Sequence, residues 1–267
     1  KTMKKMIIIV VSLFYMISIY HCKGKKLELS PDIASSDEAL YKLGEEYLKR
    51  DAEKARLYMR QVIDSFPKSF YAQRAKLAIA DSYFHKGDEG SLILAAAEYR
   101  EFISLYPYSP YSAYAQHQVG MTFYKKTFSP GRDQTKTWQA LAEFKKVITN
   151  YPLSEEAKLA QEKIKECEEK LADHTFGIGK HYYQVYAFKA STSRLSEILT
   201  SFPNYSKMDR IYFFLADSFF KWGKPDQAVP YFTKLITDYP QSKYVQKAQK
   251  RMETINKNQG GEKKEKS

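Results

Sequence analysis

Histidine and cysteine are the side chains in this sequence best suited to binding a metal or acting as a nucleophile. There are five histidines and two cysteines. His174 and His181 lie two helical turns apart, but no acidic or cysteine partner stands at metal-ligand spacing from them. The sequence also lacks a glycine-rich phosphate loop, a nucleophile elbow and a His-Glu-x-x-His motif. We therefore predict a protein that is not an enzyme and that holds no metal or cofactor.

The two cysteines have different surroundings. Cys167 shares one face of a helical run with Ile164 and Leu171, which predicts a small core residue. Cys22 follows an apolar run over residues 6–20, which itself follows a basic start. About 15 apolar residues fit a secretory signal better than a membrane span, which needs about 20.

The arrangement before Cys22 resembles a bacterial lipoprotein signal, in which the cysteine becomes the lipidated first residue of the mature chain. We therefore predict lipidation of Cys22 and attachment to a membrane through the lipid anchor. An ordinary signal peptide or a short anchor, with an incidental cysteine, is the alternative.

The chain is basic, with a formal net charge of +12. Removing the three lysines that precede Cys22 leaves +9, which still points to an anionic partner or surface. The positive charge is spread along the chain rather than gathered into a stripe with base-stacking aromatics, so we predict no nucleic-acid partner.

A short sequence motif, here called a helix-end mark, recurs along the chain: an aromatic residue, then proline, then a serine nearby. Proline cannot continue a helix and disfavours helix at the preceding residue, so each mark ends one helix. The serine is available to cap the next helix. The five marks begin at Phe66, Tyr106, Tyr151, Phe202 and Tyr239.

The segments between marks carry a helix-pair pattern. The first helix has a small residue with an aromatic three positions later, as in Gly120 and Phe123. The second has a small residue with a larger apolar residue four positions later, as in Ala140 and Phe144. Small residues let paired helices approach closely. Wider spacing between the two small residues in units two and three predicts insertions in their interhelical loops.

This is the tetratricopeptide (TPR) pattern, so we predict an all-α fold: an α-solenoid of about five TPR-like helix pairs. A long helix after Pro152 would join units 3 and 4 while separating the two halves, and a capping helix would end near residue 255. The predicted organisation is a signal peptide (1–21), a lipidated cysteine and flexible tether (22–34), units 1–3 (35–153), the long helix with units 4–5 and the cap (154–256), and a disordered basic tail (257–267).

Stacked helix pairs form a concave face lined by their first helices. Aromatic and apolar side chains with a few charges there suit an extended peptide with aromatic side chains, although several of them could merely pack between units. We call these residues the predicted groove: Tyr41, Glu45, Arg74, Leu77, Asp81, Phe84, Tyr114, His117, Met121 and Tyr124.

The signal, cysteine, tether and five repeats together resemble the BamD family, also called YfiO or ComL, the TPR lipoproteins of the outer-membrane β-barrel assembly machinery. Local text adds to the resemblance: Gly-Arg-Asp-Gln-Thr at 131–135, and the stretches 167–174 and 179–183. The resemblance covers nearly the whole chain after Cys22.

The resemblance implies a lipoprotein on the periplasmic side of the cell outer membrane, required for folding and insertion of outer-membrane proteins. It implies that the N-terminal half meets unfolded outer-membrane proteins, and that the C-terminal half docks on the periplasmic domains of a BamA-like barrel protein. The alternative is another periplasmic TPR lipoprotein, either pilotin-like or a cell-envelope or division factor.

Overall fold

The computed structural model describes residues 30–265, so the predicted signal peptide, Cys22 and most of the tether lie outside the described residues. The described residues form α-helices and no strand. The helices are α1 Pro31–Ala34, α2 Asp37–Tyr47, α3 Ala52–Ser65, α4 Phe70–Lys86, α5 Glu89–Leu105, α6 Ser112–Tyr124, α7 Thr135–Asn150, α8 Glu155–Gln184, α9 Phe188–Ser201, α10 Met208–Lys221, α11 Pro225–Asp238 and α12 Val245–Glu265.

The five helix-end marks each end a helix, as the sequence predicted. The aromatic residue of every mark is the C-cap of a helix and leaves the helical backbone region, as at Tyr151, with φ −134° and ψ 52°. At Tyr151 the following serine, Ser154, is the N-cap of the next helix. Ser154 accepts a hydrogen bond from the amide of Ala157 at 3.1 Å. Ser206 is different, because its hydroxyl donates to Glu169 at 2.7 Å.

The helix-pair register is confirmed by burial. A β-carbon added at Gly120 would lie 2.6 Å from Phe144, and one added at Gly179 would lie 2.8 Å from Leu195. The small residue of the first helix therefore faces the large residue of the second. Ten second-helix positions that carry the pattern are all fully buried: Ala55, Met59, Ala95, Tyr99, Ala140, Phe144, Ser191, Leu195, Ala228 and Phe232.

The two predicted loop insertions have different outcomes. The third pair carries a long loop over residues 125–134, as predicted. The second pair does not, because only Gly87 and Asp88 separate α4 from α5. The extra residues instead add a turn to the start of α5, where the Asp88 side chain accepts from the amide of Ser91 at 2.9 Å. Such a cap satisfies a helix N-terminus and makes an early start favourable.

The long helix after Pro152 is confirmed as α8, which has 30 residues. It joins the third and fourth pairs rather than separating two halves. One hydrophobic core continues from Phe144 on α7, through Ile164 and Leu171 on α8, to Leu195 on α9 and Ile211 on α10. Cys167 belongs to this core and is fully buried, as predicted.

The described chain has two compact units, residues 30–82 and residues 83–265. The predicted division was at residue 153. That point lies inside the second unit because the α8 core binds the elements on both sides of it.

Both ends of the described chain are more helical than the sequence predicted. The tether was predicted to be flexible to residue 34, but Pro31–Ala34 is a short helix with proline at its first turn, a position that proline favours. The tail was predicted to be disordered from residue 257, yet α12 runs on to Glu265. The lysine and glutamate residues there are good helix formers.

Candidate peptide-binding surfaces

The first compact unit (residues 30–82) brings together three residues of the predicted groove. The Arg74 guanidinium lies 4.8 Å from the centre of the Tyr41 ring, and its nitrogen lies 3.7 Å from the Glu45 carboxylate. Burial, followed by the hydrogen bond with Glu45, raises the pKa of Tyr41 to about 12. Phe70, which the sequence analysis missed, lies exposed beside Arg74, 5.9 Å from its guanidinium. The result is a small aromatic and charged surface at the start of the array.

Burial limits what some predicted residues of this unit can offer a ligand. Tyr41 and Leu77 are both buried, so they support the surface instead of forming it. Asp81 is half-buried, and Glu45 is exposed. Sequence periodicity places a residue on a helix face, but it does not say how closely the neighbouring helix covers that face.

The second compact unit (residues 83–265) buries His117, which corrects the assignment of this residue to the predicted groove. Its ring packs against Phe144 at 5.4 Å between centroids, and Nε2 has no hydrogen-bond partner among the described residues. Burial lowers the pKa of His117, because the charged imidazolium is costly away from water. The neutral ring is therefore a core residue.

The remaining predicted residues of the second unit are half-buried: Phe84, Tyr114, Met121 and Tyr124. The Lys125 ammonium lies 4.0 Å from the Phe84 ring centre. The Tyr114 ring meets Tyr99 edge-on at 6.3 Å. Such rings keep one face or edge available to a ligand, so this is the part of the predicted groove that retains accessible aromatic surface.

Helix α8 supplies partners for Tyr124 that the sequence analysis did not identify. The Tyr124 hydroxyl donates to Glu166, and burial, with this hydrogen bond as the second cause, raises the pKa of Tyr124. The Lys163 and Lys170 ammonium groups lie 4.8 and 5.5 Å from the ring centre. Local sequence patterns could not identify these partners, because Tyr124 lies about 40 residues before them in the chain.

The loop over residues 125–134 also packs on α8. His174 Nδ1 lies 2.6 Å from the carbonyl oxygen of Pro130, and Lys170 donates to the Thr127 hydroxyl at 2.6 Å. The Gln134 amide closes the loop by donating to the carbonyl of Ser129 at 2.8 Å. His174 thus has a structural partner, and no group of three metal-binding side chains occurs within residues 30–265.

A cavity of about 120 Å³ opens between α5, α6 and the start of α7. Leu92, Ile93 and Phe123 form its apolar wall. Lys126 and Lys136 stand at its rim. The cavity has room for one apolar side chain. Sequence patterns gave no sign of it because α5 and α6 supply its apolar wall jointly.

A buried carboxylate fixes the third pair behind this cavity. Glu143 accepts from Arg100 at 2.9 Å and from the amide of Gln116 at 2.9 Å. Burial acts to raise the pKa of Glu143, but the hydrogen bonds from Arg100, Lys146 and Gln116 outweigh it and hold the pKa below its usual value. The ionised carboxylate therefore ties α5 and α6 to α7.

Repeated helix pairs of this register, ended by proline-marked turns, define a tetratricopeptide-repeat protein, and residues 212–242 match the tetratricopeptide repeat model. Residues 33–223 match the family described as YfiO, outer membrane lipoprotein. Because this match spans most of the sequence, the chain belongs to the YfiO family. None of the described helices is both long and apolar enough to cross a membrane.

Curated relatives of the chain carry one name, outer membrane protein assembly factor BamD. The protein of Caulobacter vibrioides is 27% identical over 79% of this chain and 69% of its own length. The protein of Rickettsia prowazekii is 28% identical over 84% of this chain and 87% of its own length. The protein of Neisseria meningitidis serogroup A is 25% identical over 90% of this chain and 94% of its own length.

Proposed function

We propose that this chain is an assembly factor of the outer-membrane β-barrel assembly machinery: a scaffold that recruits unfolded outer-membrane proteins and catalyses no reaction. The observation that carries the proposal is the YfiO family match over residues 33–223, together with the shared name of its relatives. The TPR architecture supports a binding role because stacked helix pairs present extended surfaces to other chains.

The N-terminal half is proposed to meet the unfolded substrate. Its support lies in the half-buried aromatics Tyr114 and Tyr124 and in the apolar cavity bounded by Leu92, Ile93 and Phe123. Aromatic and apolar side chains of an extended chain gain from burial on such surfaces. The C-terminal half is proposed to dock on the periplasmic domains of a BamA-like protein.

Affinity purification of the tagged chain from solubilised envelopes tests the proposed function. We expect a BamA-like outer-membrane barrel protein to co-purify, and depletion of the chain to lower the amount of folded outer-membrane proteins. Recovery of a secretin or a peptidoglycan synthase in place of the barrel protein would instead support the pilotin-like or division-factor alternative.

The lipid anchor at Cys22 has its own test. Cys22→Ser should move nearly all of the protein from the membrane fraction to the soluble periplasmic fraction, because each buried methylene of an acyl chain contributes about 0.8 kcal/mol. Cys167→Ala is the matched control, since it removes the other cysteine of the sequence and should leave the protein in the membrane fraction. A Cys22→Ser protein that stays in the membrane would favour an uncleaved anchor.

The accessible part of the predicted groove is tested by Tyr114→Ala combined with Tyr124→Ala. We expect binding of a peptide copied from the C-terminal strand of an outer-membrane barrel to weaken about tenfold, as is usual when central aromatic contacts are lost. Fluorescence anisotropy with a labelled peptide measures this.

The control for that double variant is Tyr108→Ala combined with Tyr111→Ala. It also removes two tyrosines, but from the exposed turn before α6, and should leave peptide affinity unchanged. If both double variants bind equally well while keeping wild-type helicity, the assignment of Tyr114 and Tyr124 to the groove is wrong.

A further inference from the structure

A second groove lies at the C-terminal end of the chain. It has a volume of about 560 Å³ and is bounded by the end of α8, by α10 and by α12. These are the first helices of the fourth and fifth pairs and the capping helix. Its wall and floor include Tyr183, Phe213, Phe214, Asp217, Tyr244 and Arg251. None of these residues belongs to the predicted groove.

Aromatic rings form one wall of this C-terminal groove. The Phe213 and Tyr244 rings stack at 4.8 Å with an angle of 15° between their planes. Phe214 meets Tyr183 edge-on at 5.1 Å and Tyr244 at 5.9 Å. Because each ring is held by another, the wall is preorganised and loses little conformational freedom when a ligand packs on it.

The floor of the groove contains one acidic side chain, and its charge is already matched. Asp217 is 1% exposed. It accepts from Arg251 Nε at 2.7 Å and from the Tyr183 hydroxyl at 2.6 Å, and the Lys221 ammonium lies 3.3 Å away. This carboxylate therefore fixes the positions of Arg251 and Tyr183 and does not repel an incoming anion strongly.

Two further cations at the groove have no such partner. Lys247 and Lys250 line it from α12, and both are exposed. Neither forms an ion pair with another residue within 30–258. They stand three positions apart and so lie on one face of the helix. The groove thus combines unpaired positive charge with an aromatic wall.

We propose that the C-terminal groove binds an extended acidic segment of a partner protein, with an apolar or aromatic side chain between its carboxylates. The carboxylates pair with Lys247 and Lys250, and the apolar side chain packs on Tyr244 and Phe214. The identity of the partner as a BamA-like protein rests on the docking of the C-terminal half under the proposed function.

The shape of the site favours a peptide over a membrane surface. The lysines stand beside a recessed aromatic wall, with Phe213 buried and Phe214 and Tyr244 half-buried. A flat array of lipid headgroups reaches exposed lysines but does not fill the recess between α8, α10 and α12. An extended chain places charged and apolar side chains in alternation, which matches this arrangement.

The proposal is tested with a labelled short peptide that alternates glutamate and phenylalanine, added to the purified full chain. Lys247→Gln combined with Lys250→Gln should weaken binding about five- to tenfold, since each exposed ion pair contributes modestly. The remaining affinity should fall less steeply with added salt than in the wild type. Lys68→Gln combined with Lys189→Gln is the matched control, because it removes the same charge at exposed positions outside the groove.

Three results would overturn the proposal. The first is an equal loss of affinity in the control variant. The second is equally tight binding of a peptide with glutamine in place of glutamate, or with serine in place of phenylalanine. The third is a wild-type protein that does not bind the acidic peptide but prefers vesicles containing phosphatidylglycerol to phosphatidylcholine vesicles, together with loss of this preference in the Lys247 and Lys250 variant.

This test is separate from that of the proposed function. Peptide binding with no co-purified barrel protein would retain the groove and remove the assembly role. Co-purification of the barrel protein that is unaffected by the Lys247 and Lys250 variant, with no peptide binding, would retain the role and remove the groove.

Discussion

Phe144→Ala is expected to lower the free energy of unfolding by about 3–5 kcal/mol, the usual cost of removing a fully buried phenylalanine ring. Phe144 has no exposed surface. It packs on Gly120 of the facing helix, and its ring lies 5.4 Å from that of His117 and 6.2 Å from that of Tyr124. Its loss leaves a cavity at the point where α6, α7 and α8 share one core.

Urea denaturation followed by circular dichroism measures this change. Leu153→Ala is the control, because Leu153 is 99% exposed in the turn before α8 and its truncation should change the unfolding free energy by less than about 0.5 kcal/mol. A loss below about 1 kcal/mol in Phe144→Ala would show that the ring is not central to this core. The variant should also weaken peptide binding at Tyr124, since the two rings are in contact.

Gly120→Ala is expected to destabilise the protein by about 1–3 kcal/mol, the range found for overpacked cores. Alanine is normally favoured over glycine inside a helix by about 1 kcal/mol. Here, however, the added β-carbon would lie 2.6 Å from Cε1 and 2.7 Å from Cδ1 of Phe144. Because Phe144 is fully buried, either its ring or the two helices must shift to make room.

Gly177→Ala provides the matched control for Gly120→Ala. Gly177 also lies inside a helix, α8, but nothing stands within 4 Å of an added β-carbon. We therefore expect a gain of about 0.5–1 kcal/mol from helix propensity alone. Thermal melting of the two variants should show shifts of opposite sign. Stabilisation by both substitutions would mean that the helices of the third pair do not approach as closely as Gly120 indicates.

The sequence was sufficient for the helix pairs because their signals are local. Proline ends a helix wherever it stands, so the mark at Tyr151 and Pro152 predicted both the end of α7 and the start of α8. The pairing of Gly120 with Phe144 was also readable, since every unit has a small residue in its first helix and a larger apolar residue four positions after a small one in its second helix. These signals do not depend on the rest of the fold.

The sequence was insufficient where distant elements decide the outcome. Tyr124 meets Glu166 only because α8 folds back along α6, and no local pattern links the two residues. His117 has the spacing of a groove residue, but Phe144 of the neighbouring helix covers it. The C-terminal groove was missed for the same reason: its aromatic wall comes from α8, α10 and the turn before α12, and no single segment contains the combination.

Helix α8 also sets the distance between two candidate binding surfaces. Glu166 on this helix meets Tyr124 of the predicted groove, and Tyr183 near its end lines the C-terminal groove. The two positions belong to one uninterrupted helix, so at 1.5 Å per residue they stand about 25 Å apart along its axis. A ligand bound near Tyr124 and a second ligand bound near Tyr183 would therefore be held at a fixed spacing by one continuous helix.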